Sequence, residues 1–301
     1  MISPEARAEL DRLFQNKKSD APLAQRRREW EAEARLQVLP RDARFTVVTA
    51  EGVPSEWMDM PRVWRDRVFL LLHGGGYNAG SPRTHRRLAA DLSRATHLRV
   101  LSPDYRLAPE NPFPAGVKDA LLVYGWLLKQ GITEDNIVIG GDSAGGGLAL
   151  SMLLALRDAG ATMPRAAVLL APWTDLTCSS PSYNKLKKLD PIITRDGLRE
   201  AGLQYAGKRN PAEPGLSPLF ADLSGLPPML IHAGEDEVML DDSRIFAERA
   251  RAAGVTVDFK SYPGMWHVFH ASGTGIPEAR QAIDEIGVYV TGLFDNRGAG
   301  K

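Results

Sequence analysis

The sequence predicts an α/β fold in which a mainly parallel sheet is covered on both faces by helices. From about residue 43 onward, short β-rich runs alternate with longer helix-compatible stretches, the pattern of parallel strands joined by helical crossovers. Most of these runs close in polar or glycine-rich turns. The length of 301 residues falls in the range where one α/β domain with insertions is common.

Taken in order, residues 1 to about 37 set many charges among helix-compatible apolar positions such as Leu10, Leu13, Phe14, Trp30 and Leu36. The first β-rich run is Phe45-Thr46-Val47-Val48 and the second Val68-Phe69-Leu70-Leu71-Leu72. Further strands are expected at 98–102, 136–140, 166–171, 228–232 and 256–261. Helices are expected near 82–96, 114–130, 144–159, 241–253 and 278–293. Between about 174 and 222 the chain is rich in Pro, Lys, Ser and Leu without a clear strand, which reads as an insertion after one strand. The expected organisation is one domain over 1–301, with 1–40 and 174–222 able to cover the site. The tail from Asn296 to Lys301 is expected to be disordered.

Lysine plus arginine and aspartate plus glutamate both number 37, so the formal net charge is zero and nothing argues for nucleic acid. A neutral small substrate fits better. The single cysteine, Cys178, excludes an internal disulfide and a cysteine-built metal site. The first residues lack a charged-then-apolar leader pattern, and apolar runs stop far short of about 18 residues. The expectation is a cytoplasmic protein with no membrane span.

Ile137-Val138-Ile139-Gly140 runs into Gly141-Asp142-Ser143-Ala144-Gly145, and then into an apolar helical stretch from Leu148. A strand, Gly-x-Ser-x-Gly and a helix in succession point to a nucleophilic serine on a sharp turn, with Ser143 raised above the strand end. The bland alternative is a turn whose serine caps the helix; the flanking strand and helix weigh against it. Upstream, Leu72-His73-Gly74-Gly75-Gly76-Tyr77 follows another strong strand. Bare glycine amides can approach a developing oxyanion, so the N–H groups of Gly75 and Gly76, with that of Ala144, are the candidate oxyanion hole. Gly74, Gly76 and Ala79 also fit a dinucleotide fingerprint, but Asn78, Gly80, Ser81 and Pro82 do not start a helix in its register.

A serine hydroxyl needs a base, and in this architecture the chain order is Ser, then Asp or Glu, then His. Downstream of Ser143 lie His232, His267 and His270. His232 sits inside an apolar strand and reads as structural. His267 follows the last strand in a loop and is the preferred base, with His270 a minor alternative. His267 and His270 are also spaced for metal ligation, yet no acidic or cysteine cluster completes a site, so a metal is rejected.

The HGGG and GDSAG segments, with Asp104-Tyr105-Arg106-Leu107-Ala108-Pro109-Glu110 and Phe113-Pro114-Ala115 between them, resemble the hormone-sensitive-lipase-like family of α/β-hydrolase esterases over about residues 67–270. The resemblance implies an α/β-hydrolase fold with an eight-stranded sheet, a helical cap from the amino-terminal region and the insertion, no cofactor, and activity on short-acyl esters. It assigns Ser143 as nucleophile, His267 as base and Gly75, Gly76 and Ala144 as oxyanion donors. Many such proteins dimerise, though no patch in the sequence identifies a homodimer surface.

At the acid the chain departs from the family's Asp-Pro-Leu-x-Asp pattern and reads Gly234-Glu235-Asp236-Glu237-Val238-Met239-Leu240-Asp241. Spacing from Gly234 and Asp241 selects Glu237, whereas residue type favours Asp236. Backbone register decides where a side chain points, so Glu237 is preferred. Asp241 and Asp242 are expected to cap the next helix. Trp30, Leu186, Leu189, Ile192 and Tyr205 are expected to be mostly cap core. The expected chemistry is hydrolysis of short- to medium-chain esters. Amide cleavage or acyl transfer on the same residues, and a binding protein on a hydrolase scaffold, are the rivals.

Overall fold

The computed structural model describes residues 2–16 and 21–295. The proposed disordered tail lies outside those residues. Two helices come first, α1 (Pro4–Gln15) and α2 (Leu23–Leu36), followed by β1 (Arg44–Ala50), β2 (Val53–Asp59) and β3 (Trp64–Leu72). Then come α3 (Arg86–Thr96), β4 (Leu98–Pro103), α4 (Ala115–Lys129), β5 (Ile137–Asp142), α5 (Ala144–Asp158) and β6 (Ala166–Leu170). The chain continues through α6 (Ser182–Lys185), α7 (Arg195–Ala206), β7 (Met229–Gly234), α8 (Leu240–Ala252), β8 (Val257–Tyr262) and α9 (Pro277–Asp295).

The strands form one eight-stranded sheet in the order β1-β2-β4-β3-β5-β6-β7-β8. From β4 through β8 every pairing is parallel, while β2 runs antiparallel to both β1 and β4. Strand alternation divides the core. Leu70 and Leu72 of β3 pack with residues of α4 and α5 such as Val117 and Leu148. Phe69 and Leu71 turn the other way, toward Leu88 and Leu92 of α3 and Ile286 and Val290 of α9. Both faces of β5 and β6 are covered, which is why those strands read as unbroken apolar runs.

Strand β2 was not legible. Its sequence, Val-Pro-Ser-Glu-Trp-Met-Asp, breaks the apolar rhythm, and its place comes from the tight turn at Glu51 (φ 49°) and Gly52 (φ 84°), which folds it back on β1. Helices α6 and α7 lie between β6 and β7. Helix α1 is capped by Ser3, whose Oγ accepts from the Ala6 N–H at 3.1 Å. Its Ala6 and Leu10 pack with Trp266 and Phe269 of the loop after β8. Among the described residues, no helix is long and apolar enough to cross a membrane.

Candidate active site

Ser143 stands between β5 and α5 with φ 53° and ψ −122°, a conformation costing a non-glycine residue about 1–3 kcal/mol. Its neighbours hold it there. The Ser143 N–H donates to the Leu170 carbonyl at 2.8 Å, and the Ser143 carbonyl accepts from Trp173 N at 2.9 Å and Gly147 N at 3.1 Å. A Cβ on Gly145 would overlap the Leu72 carbonyl oxygen, so only glycine lets α5 start this close to β3. Ala144 is the first residue of α5, where a helix has no partner for its own N–H. Gly75 (φ 119°) and Gly76 (φ 63°) form a left-handed turn after β3.

Glu237 and His267 come from the loops after β7 and β8. The two loops are joined by backbone bonds, Glu235 N to Tyr262 O and Asp236 N to Met265 O, both 3.0 Å. A side chain on Gly234 would strike the Met265 carbonyl, which explains the glycine at the head of the loop that carries Glu237. Glu237 Oε2 lies 2.9 Å from His267 Nδ1, with Glu237 fully buried and His267 4% exposed. Glu237 Oε1 has no hydrogen-bond partner among the described residues. Burial pushes the Glu237 carboxyl above its ordinary range, opposed by the bond and charge of His267. Asp236, the alternative by residue type, is half-buried and reaches no histidine in the bonds described.

His270 and His232 form a separate buried pair, stacked at 5.6 Å with His270 Nε2 3.4 Å from His232 Nδ1. Burial lowers His232 to about 4 and drives His270 well below the usual histidine range, with His232 and His267 adding to the latter. Both are therefore neutral at pH 7.

Several residues escaped the sequence reading. Asp142, inside the serine motif, accepts from Gly74 N at 3.0 Å and lies 3.3 Å from His85 Nε2. Burial alone would raise Asp142 and lower His85, but their mutual attraction outweighs it and shifts Asp142 down and His85 up, the signature of a buried ion pair. The motif marked Asp142; no pattern marked His85. Asp190 of the insertion accepts from Val238 N at 2.9 Å, next to Glu237.

The expectation for Asp241 and Asp242 needs correction. Met239, the residue before helix α8, makes no side-chain cap bond, and Asp242, fully buried in the first turn, accepts instead from Thr174 N at 3.2 Å, Asp175 N at 3.0 Å and Tyr183 Oη at 3.1 Å. Asp241 accepts from Ser182 N at 2.9 Å. Open N–H groups of the insertion compete for these carboxylates and win. Of the five residues read as mostly cap core, Tyr205 is buried against Tyr77, with rings parallel at 3.8 Å, while Leu189 in the turn after α6 is 46% exposed. Among the hollows of the described surface are two of about 370 Å³ each. One lies beside α2 and the other between α4 and α5, and neither is lined by Ser143, Glu237 or His267.

A family model described as alpha/beta hydrolase fold matches residues 69–271, and the chain belongs to that family. Within it, the resemblance is to the hormone-sensitive-lipase-like group. A crystal structure of an esterase from the bacterial hormone-sensitive lipase family superposes with a TM-score of 0.93 at 40% identity, covering 96% of this chain and 98% of that one. The EstE5 structure soaked with p-nitrophenyl butyrate gives 0.94 at 38% identity, covering 97% and 99%. Among curated proteins, an acetyl-hydrolase of Streptomyces hygroscopicus is 42% identical over 86% of this chain and 85% of its own. An esterase of Acinetobacter venetianus is 42% identical over 75% of each.

Proposed function

We propose that the protein is a serine carboxylesterase acting on short- to medium-chain acyl esters. Ser143 Oγ attacks the ester carbonyl while His267 Nε2 takes its proton. The resulting oxyanion is held by the N–H groups of Gly75, Gly76 and Ala144. Glu237 keeps the Nδ1 proton of His267 in place and stabilises the imidazolium. The alcohol departs with the proton from His267, leaving an acyl-serine. Water, deprotonated by the same histidine, then releases the acid and restores Ser143. Residues 1–40 and 174–222 act as a cap on a single domain over 1–301.

The observation that carries the reading is the buried Glu237–His267 bond of 2.9 Å, downstream of a serine at a left-handed strand-to-helix turn. The names of the relatives, esterase and acetyl-hydrolase, support the leaving group and a short acyl chain. Hydrolysis of nitrophenyl esters from acetyl to long-chain acyl tests it. Activity falling beyond medium chains, and lost with its alcohol burst in Ser143→Ala, is expected. Undiminished turnover by Ser143→Ala would overturn the assignment.

A further inference from the structure

Gly74, Gly75 and Gly76 of the oxyanion turn have no side chains with which to hold themselves. The turn's own bonds, Asn78 N and Ala79 N to the Gly75 carbonyl at 3.2 and 2.9 Å, close it but do not fix it in space. Gly74 N is held by Asp142 at 3.0 Å, and helix α2 holds the far end of the turn. Arg27 Nε donates to the Asn78 carbonyl at 2.6 Å and Nη2 to the Ala108 carbonyl at 2.6 Å. Glu110 accepts from the same guanidinium at 2.8 and 2.9 Å, locking the fork. One turn along, Trp30 lies against Gly75, where a Cβ would come within 3.0 Å of its ring, and Glu31 accepts from Ser81 Oγ. From the other side α7 meets the same turn, as Asn78 Nδ2 donates to Gln204 Oε1 at 2.8 Å.

We propose that Arg27 is a positioning residue for the oxyanion hole, so that turnover depends on α2 being seated on the turn. This rests on the esterase reading above. The physical reason is that α2 lies outside the sheet and has only one buried residue, Ala34, so it is not tied down by a deep apolar face. Apart from Trp30, its attachment to the catalytic core is polar and converges on Asn78, Ala108 and Ser81. A planar fork can reach two carbonyls and a carboxylate at once; an ammonium cannot reproduce that geometry. A donor displaced by about 1 Å costs on the order of 10²-fold in rate, because the transition state and not the bound ester needs it.

The test uses Arg27→Ala and Arg27→Lys in the full chain, with Arg12→Ala as control, since among the described residues the side-chain bonds of Arg12 go to Glu9, within α1. Two readouts are taken: kcat and KM for p-nitrophenyl butyrate, and amide hydrogen exchange of the peptide spanning 75–81. Both Arg27 variants are expected to lose roughly 10- to 100-fold in kcat with KM moving far less, and to exchange faster at Asn78 and Ala79. Parent-like kcat, or a kcat loss without faster exchange, overturns the proposal. Should Arg27→Ala fail to fold, Arg27→Lys carries the same two criteria. Failure of the esterase reading looks different, because the unsubstituted chain would then lack Ser143-dependent hydrolysis before any Arg27 variant was made.

Discussion

Replacing Glu237 with glutamine separates the role of charge from that of shape. The side chain keeps its length, and its carbonyl can still face His267 Nδ1 at the 2.9 Å seen for Oε2. On the proposed mechanism, what is lost is the negative charge that would stabilise the imidazolium and select the tautomer; in a Ser-His-Asp enzyme the matching Asp→Asn change costs about 10⁴-fold in kcat. A loss of about 10³- to 10⁴-fold is therefore expected here. Stability should move the other way or not at all, because Glu237 is fully buried, its Oε1 lacks a partner, and burial opposes its ionised form. Glu237→Asp withdraws the carboxylate by about one C–C bond, about 1.5 Å, which breaks a 2.9 Å contact, and a loss of tens- to hundreds-fold is expected. Asp236→Asn should retain activity within about threefold, because the change is nearly isosteric and the Asp236 side chain reaches no histidine in the bonds described. Steady-state kinetics with nitrophenyl butyrate, paired with thermal melts, reads all three variants. Near-parent kcat for Glu237→Gln alongside a crippled Asp236→Asn would refute the assignment of the acid.

Two further outcomes are expected. Because burial holds His232 at about 4, against about 6.5 in an unfolded chain, its folded pKa is depressed; its contribution is complete above pH 6.5 and disappears as pH falls toward 4. That loss is on the order of 3 kcal/mol, and denaturant titrations of His232→Gln from pH 7 to 4 should show a shallower decline than the parent; parallel curves would rule it out. Glycine substitutions should split by location: Gly145→Ala, facing the Leu72 carbonyl, should abolish activity and cost at least about 1–3 kcal/mol, whereas Gly292→Ala, in the open on α9, should stabilise by about 0.5–1 kcal/mol in a thermal melt.

The sequence by itself determined what depends on neighbours in the chain. A strand, a glycine-flanked serine and a helix force a sharp turn at Ser143, because only small residues permit the close approach at Gly145. The unbroken apolar runs of β3, β5 and β6 announce strands covered on both faces. The spacing from Gly234 also pointed to Glu237, the carboxylate that lies 2.9 Å from His267, since register along a short loop sets side-chain direction.

Tertiary structure decided what depends on partners distant in sequence. Strand β2 exists because its backbone finds β1 and β4, although Pro54, Ser55 and Glu56 conceal it. Asp242 left its expected cap because the N–H groups of Thr174 and Asp175, 68 and 67 residues away, were brought to it. Arg27 looks in sequence like one charge in a solvated helix, yet it spans 51 residues to Asn78 and 83 to Glu110. Hydrogen bonds depend on where donors and acceptors meet in space, and no periodicity along the chain records that.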